Sequence, residues 1–478
     1  MESGFRPVTF LKRSRCLLLC GLGMILGIPS VYCGQTLPIR EAMVGDALLN
    51  EEAYQFLQEM CDRFGPRMVG TEGHRKSMDF LERRLSELGF RTERQVFQFP
   101  GWARGESKVE VAQPFKRPIR AAAIGYTKLS SQVEGELVYV ESSQIEDLIQ
   151  EELEGKILLL KPNLSFSHQD LTTLANDHGI SGIAMINRVN GGQLLTRVAN
   201  HHGELTPVPM VTITQEEGFW MKRLLLDGIE VRIRIETTAE SRIFEGINLI
   251  ASLPGSSGEK IVLGAHFDSW DLGQGAMDNG LGVAQVYEVA RLLKKYSNQN
   301  SHTVELVWFD AEELGLWGSR HYAATSPLDE IRAMVNLDMV GNPIAINAMG
   351  FDKLVPFLEK FSNELGSWSF RRKVESKAWL GGDHHPFILQ GVPSITLNAP
   401  INREDVRYYH DFADTVDKVD RSHLARSSAL VALMVQALAN DETDKAPRLS
   451  TSETAELFRR SGLEDRMRKA GQWPFADD

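Results

Sequence analysis

His266 and Asp278 stand twelve residues apart in the stretch HFDSWDLGQGAMDNGLG, with glycines recurring between them. An imidazole and a carboxylate both bind divalent cations, and the glycines let the loop fold back so that both side chains face one point. The segment WFDAEELGLWGS adds Asp310, Glu312 and Glu313; VNLDMVGN adds Asp338; RYYHDFADTVDKVD adds His410. One histidine or one carboxylate alone has an ordinary structural explanation. Recurrence of such residues after successive short apolar runs is what points to metal chemistry.

Imidazole and carboxylate donors suit zinc, and two ions held about 3.5–4 Å apart call for about five protein ligands with one carboxylate shared. The assignment that follows places His266 and Asp338 on one ion, Glu313 and His410 on the other, and Asp278 between them. Glu312 is expected to act as general base, moving a proton from a metal-activated water to the leaving amine. Neighbouring side chains in a strand point opposite ways, so Glu312 and Glu313 reach one site only if the chain turns, which Gly315 permits. The ordinary reading of such a pair is a solvated helix start; the other three loops weigh against it. Asp268 is expected to orient the His266 imidazole, with Asp310 and Asp414 as weaker supports. A further loop, WLGGDHHPFILQGVPS, offers Asp383, His384 and His385 as substrate-facing candidates, against a helix-capping role for Asp383. Arg403 and Arg407, just before His410, are candidates to hold a substrate carboxylate, against being surface arginines.

These residues need a scaffold. From Glu245 onward, strands alternate with helices, which indicates an α/β domain around a largely parallel sheet with its reactive loops outside the carboxyl ends of the strands. Residues 38–90 carry helical periodicity (Leu57, Met60, Phe64, then Met78, Leu81, Leu85, Leu88), and Phe90 to Phe99 reads as a strand. Between 101 and 242 the pattern is β-rich, without a cluster of ligand type; His201 and His202 read as solvated. This region is expected to be a non-catalytic domain inserted into the first. The expected division is therefore an export signal 1–33, peptidase segments 34–100 and 243–440 around the insert 101–242, and a tail 441–478 with an amphipathic surface run at Leu457, Phe458, Leu463 and Met467.

The length of 478 residues suits two or three domains, and a net charge of -12 argues against a nucleic-acid partner. Arg6, Lys12, Arg13 and Arg15 precede an apolar run, Cys16 to Ile28, which reads as an export signal cleaved after Cys33. Membrane attachment is expected only if that signal stays uncleaved. Cys61 is then the one clearly mature cysteine, expected as a buried inert thiol.

In order and spacing, HFDSWDLGQGAMDNGLG, FDAEELGLWGS, NLDMVG, GGDHHPF and YYHDFADTVDKV resemble the motifs of the zinc-dependent aminopeptidase and glutamate carboxypeptidase family, across nearly all of the mature chain. The resemblance implies the zinc exopeptidase fold, a mixed and largely parallel sheet flanked by helices, with an inserted protease-associated domain. It implies two zinc ions per chain on His266, Asp278, Glu313, Asp338 and His410, with Glu312 as base. It further implies cleavage of dipeptides or short peptides, and often a homodimer. A carboxypeptidase recognises a free carboxylate and an aminopeptidase a free amine; both remain open at this point. Relatives without the ligands serve as receptors, whereas this chain keeps every ligand position. No long pro-segment is evident between Cys33 and the first helix.

Overall fold

Apolar residues at helical spacing fold the start of the peptidase segment into helices Ile39–Asn50, Glu52–Phe64 and Glu72–Glu87. Phe56, Leu57, Met60, Leu81 and Leu85 are fully buried in the same core as the central strands. The Thr71 hydroxyl caps the third helix by accepting from the His74 N–H. The computed structural model describes residues 38–297, 299–443 and 446–476. The expected export signal, with Cys16, Cys20 and Cys33, lies outside the described residues.

In chain order the strands are β1 (Thr92–Gln113), β2 (Arg117–Ile119), β3 (Ala121–Ala123), β4 (Ser131–Val140), β5 (Ile157–Leu160), β6 (Gly182–Ile186), β7 (Met210–Ile213), β8 (Arg232–Leu253), β9 (Lys260–His266), β10 (Thr303–Phe309), β11 (Ile331–Asn336), β12 (Ala345–Asn347) and β13 (Ser394–Asn398). Their order is β12-β13-β11-β9-β10-β8-β4-β5-β6-β7-β3, with β1 paired to β8 and β2. Strands β13, β11, β9 and β10 run parallel. Strands β12 and β8 flank them antiparallel. The sheet is thus mixed and largely parallel, as expected. Its central strands are apolar on both faces: Ile261, Leu263 and Ala265 join one core, and Val262 between them joins another with Phe309, Met334 and Phe387. Helices Leu281–Tyr296 and Arg421–Ala439 line the first core, and Trp317–Thr325 and His384–Leu389 lie over the second.

The main departure from expectation is the length of β1 and β8. Each runs for 22 residues, and they pair along almost their whole lengths. Gly101 lies opposite Arg242, so the two expected boundaries of the insert fall inside one antiparallel ribbon rather than in linkers. Pro100-Gly101 and the polar run around Glu240 look like breaks in a linear reading. In the ribbon, Phe244 lies across Gly101, where an added Cβ would meet its ring at 2.2 Å. Beyond the ribbon, β4, β5, β6 and β7 run parallel. They bury Ile157, Leu159 and Val211 on one side and Leu158, Leu160 and Ile183 on the other. Residues Ile39–Asp478 form one compact unit.

The tail is more deeply seated than a surface run. Leu457, Phe458 and Met467 of helices Thr451–Arg460 and Glu464–Lys469 are buried in the main core. Cys61 is buried and free, and burial pushes its thiol up to about 12, in keeping with an inert group. Among the described residues no helix is long and apolar enough to cross a membrane.

Candidate metal centre

Each sequence-predicted ligand follows the carboxyl end of a parallel strand. His266 closes β9 and Asp278 lies in the loop after it. Glu313 follows β10, Asp338 follows β11 and His410 follows β13. The structure brings all of them together. Asp278 sets one carboxylate oxygen 3.1 Å from His266 Nε2 and the other 2.8 Å from His410 Nε2. Glu313 Oε2 is 3.1 Å from His410 Nε2, and Asp338 Oδ1 is 3.7 Å from His266 Nε2. Ligand atoms of His266, Asp278 and Glu313 all lie within 4.8 Å of one another.

The tautomers test whether a cation fits. His266 Nδ1 lies 3.1 Å from the Asp268 carbonyl, and His410 Nδ1 lies 3.0 Å from the Thr196 carbonyl. A carbonyl only accepts, so each Nδ1 carries a proton and donates it. Each Nε2 is therefore the atom that faces the carboxylate oxygens, where a proton or a bound cation offsets their charge. Glu313 Oε1 is buried without a hydrogen-bond partner, a further donor aimed at no protein group. A nitrogen and oxygen donor set of this kind fits zinc.

The charges tell the same story. Burial opposes charge on both histidines. For His266, the charge of Glu312 and the bonds to Asp268, Asp278 and Asp338 outweigh it; for His410, Glu313 and Asp278 do. Both imidazoles are held well above the ordinary range. Burial, reinforced by Asp278, lifts Glu313 to about 7. Burial also lifts Glu312 well above its ordinary value, reinforced by Glu313, Asp383 and Asp338. Carboxylates crowded at this density call for positive charge among them.

Supports surround these groups. The Asp268 carboxylate accepts the backbone N–H of Glu312 at 3.0 Å and of Glu313 at 3.1 Å. Its nearer contact to His266 is through its backbone carbonyl, with the carboxylate 3.7 Å from Nδ1, so Asp268 fixes the imidazole and the Glu312–Glu313 turn together. Asp414 accepts from the Met277 and Asp278 N–H groups at 2.7 and 3.1 Å. Asp310 instead pairs with His74 at 2.8 Å and accepts from the Ile247 N–H. Ala311 and Leu316 take left-handed backbone around the turn at Glu312 and Glu313, with Gly315 at φ 131°.

Three supports were not foreseen. The fully buried Arg67 donates to the carbonyls of Phe267, Gln274 and Gly275 at 2.8, 2.9 and 2.9 Å, clamping the loop that carries Asp278. Asn279 ties that loop to the one after β11, donating to Leu337 O and accepting from the Gly282 and Met339 N–H groups. Its place beside Asp278 in the motif was a usable signal. Thr196, from the inserted region, carries the carbonyl that orients His410 and donates its own N–H to the His410 carbonyl at 3.1 Å. No local pattern marks Arg67 or Thr196, which act across more than two hundred residues.

Among the substrate candidates, Asp383 is buried and stands at the N-cap of helix His384–Leu389, but among the described residues neither of its carboxylate oxygens makes a hydrogen bond, capping or otherwise. His384 is fully buried, with Nε2 3.3 Å from the Trp379 carbonyl and its ring 4.2 Å from the indole. His385 is buried as well. Arg407 is engaged by Asn190 at 2.7 Å and Gln193 at 3.2 Å, with Glu404 at 3.6 Å. Arg403 is exposed at the start of a short helix.

Residues 248–435 match the model of Peptidase family M28. The chain is 24% identical to carboxypeptidase Q of Homo sapiens over 84% of its own length and 88% of that protein's. It is 27% identical to probable leucine aminopeptidase 2 of Trichophyton verrucosum (strain HKI 0517), over 77% of this chain and 79% of the relative. A peptidase M28 precursor from Shewanella amazonensis SB2B superposes with a TM-score of 0.76 at 24% identity, covering 86% of this chain and 98% of that one. A zinc aminopeptidase from Bacillus subtilis superposes with a TM-score of 0.67 at 21% identity, covering 84% of this chain and 98% of that one. Sheet, strand-end donors and matches together define a zinc-dependent exopeptidase.

Proposed function

We propose that this chain is an exported dizinc exopeptidase that hydrolyses dipeptides or short peptides, with Glu312 as general base. The observation that carries the reading is the Asp278 carboxylate shared between two histidines whose Nδ1 atoms are locked on backbone carbonyls. In this reading His266 and Asp338 hold one ion, Glu313 and His410 the other, and Asp278 both. Zinc bound there supplies Lewis-acid activation of water and of the scissile carbonyl. Glu312 takes the proton of the attacking water and returns it to the leaving nitrogen. Asp268 holds the Glu312 backbone so that its carboxylate stays beside the ligands. The inserted region between 101 and 242 is read as a protease-associated type of domain that bears on His410 through Thr196.

The alternative within the same site is an aminopeptidase, favoured by the likeness to leucine aminopeptidase 2. Metal analysis of the purified protein together with dipeptides blocked at either terminus separates the readings. Two zinc ions per chain and cleavage of an amine-blocked but not a carboxylate-blocked dipeptide support the carboxypeptidase-like reading. The reverse preference supports the aminopeptidase, and a metal-free inactive protein sinks both.

A further inference from the structure

Arg197 follows Thr196, the residue whose carbonyl orients His410. Consecutive Cα atoms are about 3.8 Å apart, so Arg197 is anchored one residue from a contact with the metal centre. The position is fixed on both sides. Gly125 donates to the Arg197 carbonyl at 2.8 Å, and Val198 packs in a cluster with Trp270, whose ring lies 5.8 Å from that of His410.

The side chain is half-buried, yet among the described residues its guanidinium makes no hydrogen bond, ion pair or ring contact. None of its nitrogens is sealed from solvent either. The ionisable groups that act on it are Tyr409 and a second arginine, Arg188. Arg188 donates to the Tyr409 hydroxyl at 2.8 Å, and the Tyr409 ring lies 4.5 Å from that of His410. Two guanidinium groups and a phenol thus gather beside one metal ligand with no carboxylate in ion-pair contact among the described residues. Other arginines close to the centre are tied to protein groups: Arg67 to carbonyls, Arg104 to Asp271 at 2.9 Å with its Nη1 buried and unpartnered, and Arg407 to Asn190 and Gln193 with its Nε likewise unpartnered. An arginine whose backbone is fixed and whose donors are free is suited to a planar, singly charged oxyanion.

We propose that Arg197 is the specificity-determining residue that receives the free carboxylate terminus of a short peptide. Arg188 adds positive potential and Tyr409 a hydroxyl beside it. The C-terminal carboxylate of a dipeptide lies one residue, about 3.5 Å of extended chain, beyond the scissile carbonyl. A charge carried on the residue after the one that contacts His410 therefore favours dipeptides over long chains. The inference rests on the exopeptidase reading and selects the carboxylate-recognising branch of it.

The test compares kcat and KM for one dipeptide and its C-terminal amide, using the zinc-loaded wild type, Arg197→Met and Arg197→Lys. The wild type is expected to prefer the free carboxylate. Arg197→Met should lower kcat/KM for the free dipeptide by about 10- to 100-fold, mainly through KM, so that the ratio of free to amidated substrate collapses toward one. Arg197→Lys should restore part of that ratio, because it keeps the charge without the planar fork. A wild type active on the free dipeptide with a ratio unchanged in Arg197→Met overturns the role of Arg197 and leaves the exopeptidase reading standing. A zinc-loaded wild type that cleaves neither substrate overturns that reading and this inference with it.

Discussion

Glu312 and Asp268 are neighbouring carboxylates with different surroundings. Asp268 is fully buried and engaged by two backbone N–H groups, so it is committed to holding the turn. Glu312, carried on one of those same amides, is the general base of the proposed mechanism. Replacing Glu312 with Gln should leave zinc content unchanged and lower kcat by about 10²–10⁴-fold, the usual cost of losing a general base. Elemental analysis beside steady-state kinetics measures both; normal turnover by that variant would remove Glu312 from the mechanism. Asp268→Asn offers one acceptor where two N–H groups need one each. It should lower kcat by about 10–100-fold, the scale typical of groups that orient metal ligands.

The elements act by placing loops, and the loops are held by groups outside them. Arg67, between helices Glu52–Phe64 and Glu72–Glu87, clamps the loop after β9 by three carbonyls. In Arg67→Met those carbonyls lose their donors in a buried place, so zinc affinity should fall about 10–100-fold, as read by competition with a chelator. A second device joins helix Ile39–Asn50 to helix Leu281–Tyr296. Burial would raise Asp46, but bonds from Arg291 at 2.7 Å, Lys295 at 2.6 Å and Tyr296 at 2.8 Å outweigh it and hold the carboxyl below its ordinary range. With the folded value depressed, the stabilisation is complete above the unfolded value of about 4 and is lost as pH falls through the folded one. Urea midpoints of the wild type and Asp46→Asn should therefore differ most near neutrality and converge as the pH drops below about 4.

At the scale of the whole molecule, the inserted region and the peptidase sheet share a ribbon and a ligand. β1 and β8 carry the chain out and back without a linker. At the far side Thr196 holds His410, and Leu194 donates its N–H to Asp411 at 2.5 Å. The insert is thus part of what orients one ligand. Replacing residues 188–199, Thr196 included, with a glycine-serine linker should leave the strands on either side intact but free His410. Bound zinc is then expected to fall from two toward one per chain by elemental analysis; retention of both ions would show that His410 is fixed without the insert.

The sequence alone brought out the candidate donors and determined the fold class. Each candidate ligand closes a short apolar run or lies in the loop after it, and a buried strand that must end in a polar loop leaves few places for such residues. Helices Leu281–Tyr296 and Arg421–Ala439 were legible because burying one face imposes a period that survives in the linear order. The tertiary structure decided what joins distant residues. The continuity of β1 and β8 rests on cross-strand pairing through Pro100, Gly101 and Arg242, which locally read as breaks. The hold on His410 comes from a backbone carbonyl 214 residues earlier, and a carbonyl has no sequence signature. Arg67 and Arg197 look like any surface arginine in the sequence. Only their surroundings separate them: each side-chain nitrogen of Arg67 donates to a carbonyl, whereas among the described residues the Arg197 guanidinium has no hydrogen-bond partner.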